Sequence, residues 1–166
     1  MGCMIQPMTR QLSIKDRNIH EYISGYVDGE GCFSVSFSRR DKFLVGWETK
    51  PSFSVSQNED RSETLYEMQK IFDSGFMRRD FSDKTLKYEV RSLNDLLTKV
   101  IPHFETYPLR SSKQKDFQLF KKVCLLMKEN KHLDKEGLQK IVELAHGMNP
   151  SGKRKYSKEI ILETLR

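Results

Sequence analysis

Ile19, Tyr22, Ile23 and Tyr26 recur at helical spacing near the start of the chain, and Asp16 or Asn18 stands where a cap is needed. The pattern then changes period. Phe33, Val35 and Phe37 alternate with Ser34, Ser36 and Ser38, which predicts a half-buried strand, and Arg39 to Lys42 supply a polar turn. A second strand is expected over residues 47–57, burying Phe53 and Val55 while Ser52, Ser54 and Ser56 face outward. Helix follows over 60–72, with Leu65, Met68, Ile71 and Phe72 on one side, until Ser74-Gly75 ends it. A second hairpin is expected from strands at 76–81 and 86–91, then a helix over 93–104 that stops near Pro102 and Pro108. Three further helices, at 112–130, 134–146 and 157–165, close the chain. The predicted fold is α+β, in the order α-β-β-α-β-β-α with C-terminal helices. One antiparallel, saddle-shaped sheet carries helices on one face and leaves the other open. Residues 1–15 read as a flexible tail and 16–166 as a single domain.

The junction between the first helix and strand carries the candidate chemistry. In Gly25-Tyr26-Val27-Asp28-Gly29-Glu30-Gly31 two acids are separated by single glycines. Those glycines are expected to stop the helix, presenting Glu30 just past its carboxyl end. A carboxylate there, with no cationic neighbour in the run, suits a divalent metal better than a surface salt bridge. An ordinary helix terminus remains the plainer reading of the spacing alone. The two serine-bearing strands put small polar side chains on one face, where a water-filled groove fits.

Charge sharpens the picture. The chain has 29 Lys and Arg against 23 Asp and Glu, a net +6. Residues 108–166 hold 14 basic and 7 acidic residues, so the surplus lies in the C-terminal third and suggests a polyanionic partner. No apolar run approaches the roughly 20 residues of a membrane span, and no apolar stretch in residues 1–15 resembles a secretion signal. The three cysteines are scattered and form no C-x-x-C pair, which disfavours disulfides and zinc. An intracellular protein is expected.

The run Ile23-Ser24-Gly25-Tyr26-Val27-Asp28-Gly29-Glu30-Gly31 resembles the motif of the LAGLIDADG homing endonucleases, and the similarity extends through the hairpins and beyond. It looks closest to the single-motif, homodimeric branch found in group I introns. That resemblance implies a helix packed against its twin, with Tyr22, Gly25, Tyr26 and Asp28 at the interface. Gly25 would permit close approach, and Asp28 would cap the neighbouring helix across it. Glu30 and the carbonyl of Gly29 would bind the catalytic Mg²⁺ (or Mn²⁺). Gln57 would order water, Arg61 would approach the scissile phosphate, and Lys113 would supply the catalytic lysine, with Lys115 close by. Glu30 departs from the motif's namesake aspartate but keeps the charge.

The resemblance further implies that the open sheet face lies in the major groove of double-stranded DNA. By alternation the residues directed at DNA are Ser34, Ser36, Ser38, Arg40, Lys50, Ser52, Ser54, Ser56, Arg78, Lys87, Glu89 and Arg91. Lys153, Arg154 and Lys155 in the basic loop would clamp phosphates. A single motif implies a homodimer cutting a long, near-palindromic target. The rival expectation is a non-cleaving regulator or an RNA maturase acting on intron RNA. An organelle (chloroplast or mitochondrion) or a bacterial cytoplasm would house either. Without the resemblance, the strand serines are solvated faces, and Gln57, Arg61 and Lys113 are ordinary surface residues.

Overall fold

A computed structural model describes residues 14–166; the tail expected over 1–15 therefore lies almost wholly outside the described residues. α1 (Ile14–Glu30) runs without a loop into β1 (Gly31–Arg39), which pairs antiparallel with β2 (Trp47–Asn58). A single 3-10 turn at Glu59–Arg61 leads to α2 (Glu63–Phe72), then β3 (Phe76–Asp80) and β4 (Thr85–Val90). The four strands stand in the order β1-β2-β4-β3, every neighbour antiparallel. α3 (Leu93–Asp95), a π turn at Leu96–Val100 and α4 (Ile101–Thr106) follow. α5 (Lys113–Lys128), α6 (Lys135–His146) and α7 (Lys158–Glu163) complete the helical layer.

Register explains why one face is core. Phe33 lies opposite Phe53, Phe53 opposite Val90, and Val55 opposite Tyr88, all fully buried. The Phe33 ring sits 5.2–5.4 Å from those of Phe53, Phe104, Phe117 and Phe120, so one strand residue joins the sheet to α4 and α5. Trp47, open between core and surface in the sequence, is buried and donates its indole N–H to Thr164 at 3.2 Å. Asp134 and Ser157 cap α6 and α7 as their positions suggest, accepting from Gly137 N and Ile160 N.

Two boundary expectations are corrected. α1 does not stop at its glycines: it continues through Gly29 to Glu30, because neither Gly25 nor Gly29 adopts a left-handed backbone. Instead both lie on the exposed side of α1 with open space where a Cβ would be. Pro102 does not end its helix either. It occupies the opening positions of α4, just after the wider π turn, where a missing N–H costs little.

His103 is buried against Phe72, Phe104 and Tyr107, with the His20 ring 5.3 Å away. Burial, assisted by the charge of His20, pushes its pKa down to about 4. The unfolded chain, with a histidine pKa near 6.5, therefore binds the extra proton between about pH 6.5 and 4. The stability that depends on neutral His103 is complete above that window and is lost as pH falls through it. Thermal unfolding followed from pH 7 to 4 should show a falling Tm, with a shallower fall in His103→Phe; an identical slope in the variant contradicts this.

Candidate functional site

The last turn of α1 and the first turn of α5 bind each other's ends. The Asp28 carboxylate accepts from the amides of Arg110 (2.7 Å) and Ser111 (3.1 Å) and from the Ser111 hydroxyl (2.6 Å), just before α5 begins. In return the Lys113 ammonium donates to the carbonyls of Val27 (2.9 Å) and Gly29 (3.3 Å) at the end of α1. Each charge sits at the helix terminus of opposite sign. Partial burial raises the Asp28 pKa, but the Ser111 and Arg110 hydrogen bonds outweigh it and hold the carboxyl below its ordinary value. Asp28 was expected to cap a helix across a dimer interface. Within one chain it holds the lead-in to α5, both oxygens accepting from residues 110 and 111.

Gly31 makes the direct passage from helix to strand possible. A Cβ there would lie 2.5 Å from the Val27 side chain and 2.8 Å from the Val27 carbonyl. Glu30 thus ends the helix and projects from an exposed position; among the described residues its carboxylate has no ion pair or hydrogen bond. Glu30 directly precedes Gly31, which faces Val55 at the start of the β1–β2 pairing, and the next residue of β2, Ser56, is opposite Lys87. Gln57 lies at the same end of β2. Its Nε2 donates to the Tyr26 hydroxyl at 2.9 Å and its Oε1 accepts from Asn58 N, which fixes the amide's orientation. Lys113 rather than Lys115 reaches the acid-bearing turn, while Lys115 is exposed. Arg61 is exposed in the 3-10 turn after β2. Tyr22 is half exposed and exchanges a 3.3 Å hydrogen bond with Thr64, so it and Gly25 share the open side of α1.

The donor set fits a hard divalent cation in part. Glu30 supplies a free carboxylate oxygen pair and Gly29 a carbonyl, the oxygen ligands such ions take. Among the described residues no three His, Cys, Asp or Glu side chains cluster as a cage.

The open sheet face carries the predicted serines and charges in transverse rows. Ser34 lies opposite Ser52, Ser36 opposite Lys50, Ser56 opposite Lys87, and Lys87 opposite Arg78. Several charges are already paired. Glu48, which alternation also puts on this face and no motif announces, binds Arg40 at 2.9 Å and Lys50 at 3.3 Å. Ser54 and Glu89 are buried in the face rather than projecting from it. The basic loop is divided in role. Arg154 was expected to clamp phosphate, but its guanidinium donates to the carbonyls of Val35 (3.2 Å), Met148 (3.1 Å) and Ala145, so it anchors the loop. Asn149 does likewise, donating to the Phe33 carbonyl at 2.7 Å, and together they cover the exposed edge of β1. Lys153 and Lys155 remain exposed. They border a cleft of about 570 Å³ between the loop and β1, lined also by Cys32, Ser34 and Ser36.

The described residues thus combine an open polar and basic sheet face with an acid at a helix end beside it that has no partner among them. Comparison with known proteins makes this specific: residues 23–124 match the LAGLIDADG endonuclease family model. A relative from Neurospora crassa, described as a probable intron-encoded endonuclease 2, is 33% identical over 129 residues, 77% of this chain and 28% of that protein. The crystal structure of the homing endonuclease I-TnaI superposes with a TM-score of 0.77 at 34% identity, covering 87% of this chain and 94% of that one. I-SmaMI, bound to an uncleaved DNA target in the presence of calcium ions, gives 0.80 at 28% identity over 92% of this chain and 49% of its own. The chain belongs to the LAGLIDADG endonuclease family and has its fold. It spans about a quarter of the length of the first curated relatives it matches.

Replacing Asp28 by Asn removes the charge and one acceptor from the head of α5. Urea denaturation should show a loss of about 1 kcal/mol, the difference between a charge-assisted and a neutral hydrogen bond, with faster hydrogen exchange at the Arg110 and Ser111 amides. Unchanged exchange at those two amides contradicts the capping role.

Proposed function

We propose that this chain is a site-specific DNA endonuclease that hydrolyses phosphodiester bonds as a homodimer, on a long, near-palindromic target, with Mg²⁺ or Mn²⁺. The observation that carries the reading is the unpaired Glu30 carboxylate at the end of α1, beside the Gly29 carbonyl and the Lys113 ammonium, where an open polar and basic sheet begins. Glu30 and Gly29 O are the groups that would hold the metal. Bound there, a divalent cation polarises the phosphate and lowers the pKa of a water beside it. Hydrolysis adds a water oxygen to phosphorus and breaks one ester P–O bond, leaving a hydroxyl and a phosphate monoester. Lys113 places fixed positive charge where the phosphate's negative charge grows, and it needs no reorganisation because two carbonyls already orient it. Gln57, its amide fixed by Tyr26 and Asn58, retains one N–H to orient water.

Cutting two strands takes two such acids, and these 166 residues hold one such motif. Gly25 and Gly29, four residues apart with nothing within 4 Å of where their Cβ atoms would be, form a smooth stripe on exposed α1 against which a second copy packs closely. Lys153 and Lys155 attract phosphates without reading sequence, whereas the serine rows face base edges and leave space for bridging water. An intracellular setting, in an organelle or bacterial cytoplasm carrying the intron, accords with this activity. Among the described residues no helix is long and apolar enough to cross a membrane.

The test is cleavage of supercoiled plasmid carrying a target selected by the wild-type protein. With Mg²⁺ the wild type should linearise it, and Glu30→Gln should leave it uncut while binding within a few-fold of wild-type affinity. Cutting at the wild-type rate by Glu30→Gln removes the assignment. Tight binding with no nicking by the wild type would point instead to the regulator or RNA maturase.

A further inference from the structure

Glu89 is the least expected side chain on the open face. A carboxylate on a surface meant for DNA repels phosphates, yet this one is 4% exposed and fully engaged. Ser52 Oγ donates to its Oε1 at 2.7 Å from the neighbouring strand, and Arg91 Nη2 donates to its Oε2 at 2.8 Å. Burial raises its pKa, but the hydrogen bonds from Ser52 and Arg91 prevail and keep it below the ordinary glutamate value. The Arg91 guanidinium also lies 5.3 Å from the centroid of the Phe76 ring. Phe76 is opposite Glu89 in the register, so a carboxylate and an aromatic ring together fix the guanidinium. The Arg91 side chain nevertheless stays 56% exposed, and among the described residues its Nε and Nη1 donate to nothing.

We infer that Arg91 is a base-reading residue that selects guanine, and that Glu89, with Ser52 and Phe76, positions it; the inference rests on the DNA-binding reading above. A guanidinium held on one side presents its remaining N–H groups as a rigid fork. In the major groove guanine alone offers two acceptors, N7 and O6, to such a fork; adenine and thymine each offer one, and cytosine offers a donor. Glu89 itself reads no base, because it is buried beneath Ser52 and Arg91, its two hydrogen-bond partners. Its burial also lets it neutralise Arg91 locally, so Arg91 adds selectivity more than non-specific affinity. A free surface arginine would do the reverse, following the nearest phosphate.

The experiment is selection of bound duplexes from a randomised library with Ca²⁺, using the full chain as wild type, Arg91→Lys, Arg91→Ala and Glu89→Gln. Wild type should prefer guanine at one position, or at that position and its symmetry mate, by about ten- to a hundred-fold. Arg91→Lys keeps the charge and, being exposed, the fold; it should lose that preference alone while affinity for random DNA and the salt slope stay unchanged. Glu89→Gln should weaken guanine preference at the same position and at no other, an effect that general destabilisation would not produce. Arg91→Lys retaining the wild-type guanine preference overturns the inference. So does Arg91→Ala weakening every sequence equally with a smaller salt slope, the mark of a phosphate contact. If the wild type selects no sequence at all, the DNA-binding reading fails first and this falls with it.

Discussion

The reciprocal clasp between α1 and α5 governs the geometry of the whole site. An acid in the last turn of one helix holds the two amides that lead into the other, and a lysine in that second helix holds the last carbonyls of the first. Hydrogen bonds to charged groups contribute about 1.5–3 kcal/mol each, and those from Lys113 also satisfy carbonyls that the end of α1 would otherwise leave unpaired. The clasp leaves α1 with no slack. Its final residue is Glu30, the next is already in β1, and only glycine fits that step against Val27. Glu30 is thus held at a defined place beside the sheet, with no partner of its own among the described residues.

The same economy appears across the open face, where few charges stand alone. Glu48 ties Arg40 and Lys50, and Glu89 ties Arg91. The acidic residues on this surface therefore orient cations instead of repelling phosphate. In the basic loop, Arg154 is spent on backbone carbonyls so that Lys153 and Lys155 can be held against the β1 edge. Positioning and attraction are thus divided among neighbouring residues of like charge, as Arg's planar fork and Lys's compact ammonium favour.

Much of this was legible in the chain. Alternation in Phe33 to Ser38 and in 47–57 gave both strands and the face each side chain takes, because a period of two leaves no choice once one side is buried. The acids that end the first helix and the lysine segment at 113 were legible as a resemblance, and the structure brings Lys113 to Gly29. What local pattern could not give was which partner each charge takes. Asp28 bonds residues 82 and 83 positions away, and Arg154 reaches back to Val35. Both look like free surface charges in sequence. Gly29 misled for a related reason: glycine often ends a helix, but here it keeps α1 smooth on its exposed side. Pro102 misled because a π turn, which no simple periodicity announces, takes up its strain.

The most direct measurement is paramagnetic broadening of amide signals by Mn²⁺ added to the ¹⁵N-labelled protein bound to uncut DNA. The account predicts that broadening centres on residues 29–31 and reaches the start of α5 at Lys113, and that Glu30→Gln abolishes it. Broadening centred on another part of the chain, or persisting undiminished in Glu30→Gln, would contradict it.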